Sequence, residues 1–213
     1  LPARVVYSGV EIDRFVDVDQ AKLRADTRSE LGIPADATVM VNVGRFSVAK
    51  AQDMTIRAFA ELAESRDGLF LVLVGEGPEK ENCAALCRRL GVEDRVVFAG
   101  YQPDIVPFYA AADINVLTSM VEGLPRVVVE ASLSKVPTAC FDVPGVKEVI
   151  TDGESGDIVE GGDLPALIGR IEDLMSSSDE RKDKGRKAFE RAKTLWDHRK
   201  MIDDLRGIYE FGP

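Results

Sequence analysis

Histidine and cysteine are scarce in this chain of 213 residues, and each scarcity excludes a class of chemistry. The one histidine, His198, lies in a charged stretch near the C-terminus, so we expect no catalytic triad with a histidine base. Three cysteines make no disulfide framework, and their odd number favours a reducing cytosol. Cys83 and Cys87 stand four apart, but no second Cys or His pair completes a zinc site, so we expect small buried side chains.

Long apolar runs and positive charge are also lacking. No run of about 18 apolar residues occurs, which predicts no membrane-spanning helix. Residues 1–6 are too short and too mixed for a signal peptide, and because the chain begins at Leu1 we expect part of a longer protein. The formal net charge of -10 argues against a broad surface for nucleic acid or anionic membrane. A phosphate-bearing ligand would need a few well-placed cations instead.

Short apolar runs alternate with helical patterns from residue 38 onward. The runs lack polar alternation, which is typical of parallel strands buried on both faces. The pattern predicts an α/β fold, a Rossmann-like, doubly wound parallel sheet of about six strands with helices on both faces and at the C-terminus. The predicted strands are residues 38–43, 69–74, 96–99, 114–117, 138–141 and 157–159. The predicted helices are residues 20–31, 54–62, 79–90, 105–112, 125–133, 146–150, 164–175, 180–195 and 197–209.

The same pattern divides the chain into three predicted segments. Residues 1–34 are polar and irregular and form an entry segment that leads into the domain. Residues 35–195 carry the alternation and form the predicted ligand-binding domain. Residues 196–213 form a C-terminal helix that can pack on its own domain or on another one. The apolar residues of that helix are Ile202, Leu205, Ile208, Tyr209 and Phe211.

Ligands of doubly wound sheets bind beyond the carboxyl ends of the strands. After the first strand, Arg45 offers a planar fork suited to two phosphate oxygens, and Lys50 offers a point charge. Gly44 allows the backbone to turn or to approach a ligand closely. In an acidic chain these two cations predict a local anion site, and surface salt bridging is the ordinary alternative. The other segments at this edge are residues 75–78, 100–102, 119–125 and 142–145.

The loop after the second strand contains Gly75-Glu76-Gly77-Pro78. It lacks the third glycine of the dinucleotide fingerprint, and the chain has no Gly-Lys-Ser/Thr of a P-loop. We interpret Gly75 and Gly77 as a tight strand-to-helix turn that keeps space open.

The most informative segment runs from Leu117 to Ala131. A loop with Glu122 leads into a helix that we expect to begin with Pro125 and to contain Glu130. Free backbone N–H groups at a helix start favour a phosphate, and the two carboxylates suit the hydroxyls of sugars on either side. The ordinary alternatives are a helix cap for Glu122 and a solvated helix position for Glu130, although valines surround Glu130 in the sequence.

This segment resembles the Glu-x7-Glu signature of retaining, GT-B-fold glycosyltransferases of family 4, the glycosyl transferases group 1. The resemblance covers nearly the whole chain in the expected order. Ala51 and Lys135 depart from the pattern where glycine is usual, as does Pro144 where a first glycine is common, and Ser8 stands where the linker usually has asparagine. The other similar segments are residues 7–15, 44–50, 74–78, 98–101, 109–113, 137 and 145–150.

The resemblance implies one half of a GT-B fold, with residues 1–34 as the interdomain linker and residues 35–195 as the nucleotide-sugar-binding domain. It implies that Arg45 and Lys50 bind the donor diphosphate and that Glu122 contacts the donor sugar, as the catalytic residues. Glu130 would hold the ribose hydroxyls, and backbone near Tyr101 would meet the base. The other implied substrate-binding positions are Gly44, Gly75, Gly77, Gly123, Leu124, Pro125 and Gly145.

The resemblance also implies metal-independent transfer from a nucleotide-diphosphate sugar to a saccharide or lipid-linked acceptor, with no separate cofactor. In the family the acceptor binds an N-terminal domain, which this sequence lacks. We therefore expect the chain to bind donor weakly and to transfer nothing by itself. The implied location is the cytoplasm, with peripheral association at the inner face of the membrane through the missing half. We expect no nucleic-acid partner.

Three other functions stay open from the residues. A glycoside hydrolase would use Glu122 and Glu130 as its carboxylate pair, but the Arg45 and Lys50 site has no part in that chemistry. A GT-B-type nucleotide-sugar epimerase and a non-catalytic nucleotide-sugar-binding module would both use the predicted anion site. The base, the sugar and the acceptor are left open as well.

Overall fold

The six predicted strands form one sheet in which all neighbours are parallel, which confirms the doubly wound α/β fold. The computed structural model describes residues 5–211, and side chains as far as Tyr209. The strands are β1 (Thr38–Val43), β2 (Leu69–Val74), β3 (Val96–Gly100), β4 (Ile114–Leu117), β5 (Thr138–Phe141) and β6 (Asp157–Val159). Their spatial order is β3-β2-β1-β4-β5-β6. The direction of winding therefore reverses between β1 and β4, which is the switch point where such sheets bind ligands.

The helices follow the predicted alternation to within a few residues at their ends. A short helix over residues 13–16 and two 3-10 turns, at Val48–Lys50 and Glu93–Arg95, are not among the predicted elements. The helices are α1 (Asp13–Val16), α2 (Gln20–Glu30), α3 (Gln52–Ala63), α4 (Lys80–Leu90), α5 (Val106–Ala111), α6 (Arg126–Leu133), α7 (Val146–Val149), α8 (Leu164–Ser176), α9 (Ser178–Leu195) and α10 (His198–Phe211). Among residues 5–211, no helix is both long and apolar enough to cross a bilayer.

Two hydrophobic cores lie on opposite faces of the sheet. In β1, Val39 and Val41 belong to one core and Met40 to the other, as the alternation of strand side chains requires. Helices α3, α4 and α8 cover the Met40 face, and residues of α1, α5, α6 and α7 cover the other. Burial on both faces is the physical reason that the strands lack polar alternation. The three cysteines are buried and unbonded, as predicted.

The predicted linker and the C-terminal segment meet beside the sheet. Val10 donates its amide to Trp196 O at 2.7 Å, and His198 donates its amide to Val10 O at 3.1 Å. A Cβ on Gly9 would lie 2.3 Å from His198 Cα, so this contact requires glycine. Phe15 is buried in the same hydrophobic core as Val10. The predicted boundaries at 34/35 and 195/196 stay predictions, and residues 1–4, 212 and 213 of the terminal segments, with the Phe211 side chain, lie outside the described part.

Within residues 5–211, two non-glycine residues have left-handed backbone, and both stand where the resembled family usually has glycine. Ala51 has φ 45° and Lys135 has φ 60°. For an L-residue this conformation costs roughly 1–2 kcal/mol. Glycine relieves that strain. It also makes the unfolded chain more flexible, which lowers the gain in stability by roughly 0.4–1 kcal/mol.

We therefore expect Ala51→Gly to raise the free energy of unfolding by about 0.5–1 kcal/mol. Lys135→Gly should gain less, because Lys135 Nζ lies 5.0 Å from the ring centre of Phe189 and that attraction is lost. Urea denaturation measures both. The matched control is Ala85→Gly at an exposed site within α4, where the loss should be about 1 kcal/mol. Equal destabilisation by the Ala51 and Ala85 variants would refute the strain at Ala51.

Candidate functional site

The loops after β1 and β2 touch each other at the carboxyl ends of these two strands. A Cβ on Gly75 would lie 2.0 Å from Gly44 O, and one on Gly77 would lie 2.2 Å from Phe46 O. Gly75 also has φ 141°, a conformation that favours glycine. The two glycines thus allow the backbones of neighbouring loops to approach closely.

A cavity of about 370 Å³ opens beside these loops, at the carboxyl ends of β1 and β2. It brings together Gly44, Arg45, Gly75 and Tyr101 of the predicted site. Tyr101 is 73% exposed, which leaves its ring free to cover a flat ligand. The remaining residues at the wall are Val43, Val74, Glu76, Gln102 and Ile105.

Lys50 and Glu122, two predicted site residues, form an ion pair with each other. Lys50 Nζ donates to Glu122 Oε1, and the side chains are 27% and 10% exposed. The loops that carry them are joined again where Met120 donates its amide to Ala49 O at 2.8 Å. Lys50 therefore forms a salt bridge, which was the ordinary alternative to an anion site. Its partner, however, is Glu122, which is itself a predicted site residue. A bound anion would share Lys50 with Glu122.

The start of α6 differs from the predicted phosphate seat. Pro125 is the N-cap and Arg126 the first helical residue, so the helix begins one position later than predicted. The Arg126 amide donates to Leu124 O at 2.9 Å, and Val128 donates to Pro125 O at 2.9 Å. These two amides are therefore not free for a ligand. Pro125 has no amide proton to donate. The Leu124 carbonyl accepts the hydrogen bond of the Arg126 amide, which is the first amide of the helix.

Gly123 in this loop is a close neighbour of Gly145 in the loop after β5. A Cβ on Gly145 would lie 2.2 Å from Gly123 O, and Gly145 has φ 80°. This contact joins two of the predicted loops across β4 and β5, although Pro144 stands where the resembled family often has another glycine.

Glu130 lines a second cavity, of about 510 Å³, together with Arg14, Arg126 and His198. Burial raises the pKa of the Glu130 carboxyl to about 7, against the opposing attraction of Arg126 and Arg14. Val43 and Ile105 line both cavities, so the Glu130 cavity adjoins the Arg45 cavity. Glu130 is thus only partly exposed, as the flanking valines suggest.

The raised pKa of Glu130 predicts a pH-dependent penalty on folding. The native state holds a proton that the unfolded state releases near pH 4.5, so wild-type stability falls as pH rises from about 4.5 to about 7. Glu130→Gln removes this titration. We expect the variant to match wild type near pH 5 and to exceed its free energy of unfolding by roughly 2 kcal/mol above pH 7.

Urea denaturation at pH 5 and pH 8 measures this difference. Glu154→Gln, at an exposed loop position, is the matched control. A Glu130→Gln difference that does not change between the two pH values would contradict a buried, protonated Glu130.

Arg126, Arg14 and His198 line the Glu130 cavity and were not predicted as site residues from the sequence. Arg126 directly follows Pro125 and could have been noticed as a third cation. Arg14 and His198 gave no local signal, because they reach the Glu130 cavity through the pairing of Val10 with Asp197.

Comparison with known proteins adds independent findings. The sequence profile of the family described as Glycosyl transferases group 1 matches residues 24–191. The lipopolysaccharide core biosynthesis glycosyltransferase LpsE of Rhizobium meliloti is 37% identical over 82% of this chain and 48% of its own length. The D-inositol 3-phosphate glycosyltransferase 2 of Catenulispora acidiphila is 34% identical over 97% of this chain and 53% of its own length. The chain therefore spans about half the length of these curated relatives.

Solved structures show the same fold. Anabaena Alr3699/HepE in complex with UDP matches with a TM-score of 0.90 and 25% identity, over 98% of this chain and 57% of that one. WaaG, a glycosyltransferase involved in lipopolysaccharide biosynthesis, matches with a TM-score of 0.85 and 25% identity, over 98% of this chain and 56% of that one.

Proposed function

Because the chain belongs to the glycosyl transferases group 1 family, we propose that it is the donor-binding half of a retaining, metal-independent glycosyltransferase. The donor is a nucleotide-diphosphate sugar, and the acceptor is a saccharide or a lipid-linked molecule. The observation that carries the proposal is that the Arg45 cavity adjoins the Glu130 cavity at Val43 and Ile105, while the Lys50–Glu122 pair joins the loops after β1 and β4.

The relatives support the two substrate classes. One solved neighbour is described in complex with UDP, and another relative acts in lipopolysaccharide core biosynthesis. Since the chain spans about half of the curated relatives, we assign acceptor binding to a further N-terminal domain of the same enzyme.

Each cavity has a role in this proposal. Arg45 and Lys50 bind the donor diphosphate, and Glu122 contacts the donor sugar while it holds Lys50. In the adjoining cavity, Glu130 accepts hydrogen bonds from the ribose hydroxyls, and the base lies near Tyr101. Gly75, Gly77 and Gly145 let neighbouring loops pack closely. In this proposal the backbone of these loops contacts the donor at Gly44, Gly75, Gly77, Gly123, Leu124, Pro125 and Gly145.

The cations act on the charge that develops in the reaction. When the bond between the sugar carbon and the diphosphate oxygen breaks, both electrons leave with the diphosphate and the sugar ring becomes positive. The acceptor hydroxyl oxygen then forms the new bond to that carbon, and its proton passes to the departing diphosphate oxygen. Cations held in place before the reaction stabilise the leaving diphosphate, which is often the largest catalytic contribution. Glu122 contributes by orienting Lys50 and the sugar.

The C-terminal helix is proposed to contact the acceptor-binding domain. Ile202, Leu205 and Tyr209 on α10 are exposed in the described chain. Membrane association, at the inner face, is assigned to the other half of the enzyme, and the place of action to the cytoplasm.

Calorimetric titration of the chain with UDP-, GDP- and ADP-sugars tests the proposed function. We expect one nucleotide sugar to bind, and Arg45→Ala to weaken that binding. Binding of glucose oligomers alone would favour the glycoside hydrolase, and binding of neither class would contradict the proposal. Turnover by the full-length enzyme then separates sugar transfer from epimerisation and from binding without reaction.

A further inference from the structure

A buried chain of hydrogen bonds ends at the turn that carries Lys50. Asn42 on β1, Thr55 on α3 and Thr118 after β4 are 3%, 0% and 0% exposed. Asn42 Nδ2 lies 3.3 Å from Thr55 Oγ1, Thr55 Oγ1 lies 2.8 Å from Thr118 Oγ1, and Thr118 Oγ1 lies 2.8 Å from Ala51 O. The three side chains therefore connect both sides of the switch point to the residue after Lys50.

The direction of these hydrogen bonds is fixed by the groups at the ends. Ala51 O can only accept, so the single hydroxyl proton of Thr118 is used there. Thr55 must then donate to Thr118, and its own oxygen accepts from the amide of Asn42. Asn42 Nδ2 uses its second proton on Val116 O at 2.8 Å. Each donor polarises the next, which strengthens the last bond to Ala51.

That last bond meets the backbone at its strained position. Ala51 has φ 45° and ψ 47°, and it lies between the 3-10 turn Val48–Lys50 and the first turn of α3. Its carbonyl also accepts the Met54 amide at 2.9 Å. Lys50 O is 3.3 Å from the same Thr118 hydroxyl. The hydroxyl thus holds the Ala51 carbonyl, and lies near that of Lys50, in a conformation that alanine does not favour.

We infer that Thr118 is a positioning residue, which keeps the Lys50 side chain directed at Glu122 and at the donor diphosphate by holding the Ala51 peptide. This inference rests on the proposed function of Lys50. Thr118 does not touch the ligand, because it is fully buried and acts only through the peptide. Loss of its hydroxyl lets the turn relax and moves the charged end of Lys50.

The experiment compares a nucleoside diphosphate with its nucleoside, because only the diphosphate needs Lys50. UDP and uridine are titrated separately into the chain, and NMR follows the binding of each. If another base binds better, GDP and guanosine or ADP and adenosine replace them. In Thr118→Val we expect affinity for the diphosphate to fall roughly tenfold and affinity for the nucleoside to change less than about twofold. Thr118→Ser keeps the hydroxyl and should stay near wild type.

Two further variants separate positioning from general loosening. Thr138→Val is the matched control. Thr138 is 1% exposed, and its hydroxyl likewise accepts a hydrogen bond from a buried side chain, here Asn115 Nδ2 at 3.0 Å, with no contact to the turn. It should lower stability and leave the diphosphate preference unchanged. Ala51→Gly in the Thr118→Val background should restore much of the preference, because glycine adopts the turn without the hydroxyl.

The outcomes distinguish this inference from the proposed function. A wild-type chain that binds no nucleoside diphosphate, or Lys50→Ala with unchanged diphosphate affinity, overturns the role of Lys50 and the inference with it. If Lys50→Ala weakens diphosphate binding but Thr118→Val behaves like Thr138→Val, the proposed function stands and the positioning role is wrong.

Discussion

Replacing Lys50 with alanine is expected to lower kcat/KM for the nucleotide sugar at least about 100-fold in the full-length enzyme. The amine is held beside Glu122, in a half-buried position where little water screens its charge. Its removal takes a cation from the leaving diphosphate and also leaves the Glu122 carboxylate, 10% exposed, without its partner. The unpaired carboxylate then repels the diphosphate. Initial rates of donor consumption measure the effect.

The matched control for Lys50→Ala is Lys187→Ala, which removes the same charge from a lysine paired with Asp183 at 2.8 Å on α9. That variant should retain wild-type turnover. Arg45→Ala should also lower donor use strongly, because the Arg45 guanidinium is lost from the wall of its cavity. Turnover within about twofold of wild type in either the Lys50 or the Arg45 variant would refute the assigned roles.

Replacing Lys184 with methionine is expected to lower the free energy of unfolding by about 3–5 kcal/mol. Lys184 Nζ lies 2.8 Å and 2.9 Å from the two carboxylate oxygens of Asp157. The residues are 5% and 1% exposed. Without the amine, the buried Asp157 carboxylate on β6 has lost its close cation, because Arg170 is 4.0 Å away and partly exposed.

Lys187→Met on the same helix is the control, since its exposed ion pair contributes less than about 1 kcal/mol. Urea denaturation at neutral pH compares the two variants. A further Asp157→Ala in the Lys184→Met protein should restore part of the loss, because the unpaired charge is then gone. Equal stabilities for Lys184→Met and Lys187→Met would show that the buried pair has no special weight.

The fold could be predicted because its main signal is local. Each strand is a short, mainly apolar run, because helices cover both faces of the sheet and most strand side chains are buried. The bounds of α6 were less predictable, because the turn of the Leu124 carbonyl onto the Arg126 amide leaves no pattern in the sequence. Helix α1 has only four residues, too few for a helical period.

The site could be predicted as a set of loops but not as a set of contacts. Parallel strands place their carboxyl ends at one edge, so the loops with Arg45, Lys50 and Glu122 had to be near one another. The pairing of Lys50 with Glu122 joins residues 72 positions apart. It depends on how the turn with Lys50 and the loop with Glu122 are placed in three dimensions. The same holds for the hydrogen bond from Thr118 to Ala51, across 67 positions. The resemblance suggested roles for single residues, but it gave no partner for any of them.

The most direct test of the donor site is a crystal structure of this chain with the nucleoside diphosphate that binds best. The account predicts diphosphate oxygens within about 3.5 Å of the Arg45 guanidinium and of Lys50 Nζ, and ribose hydroxyls within that distance of the Glu130 carboxylate. A diphosphate bound away from Arg45 and Lys50, or a ribose outside the Glu130 cavity, would contradict it.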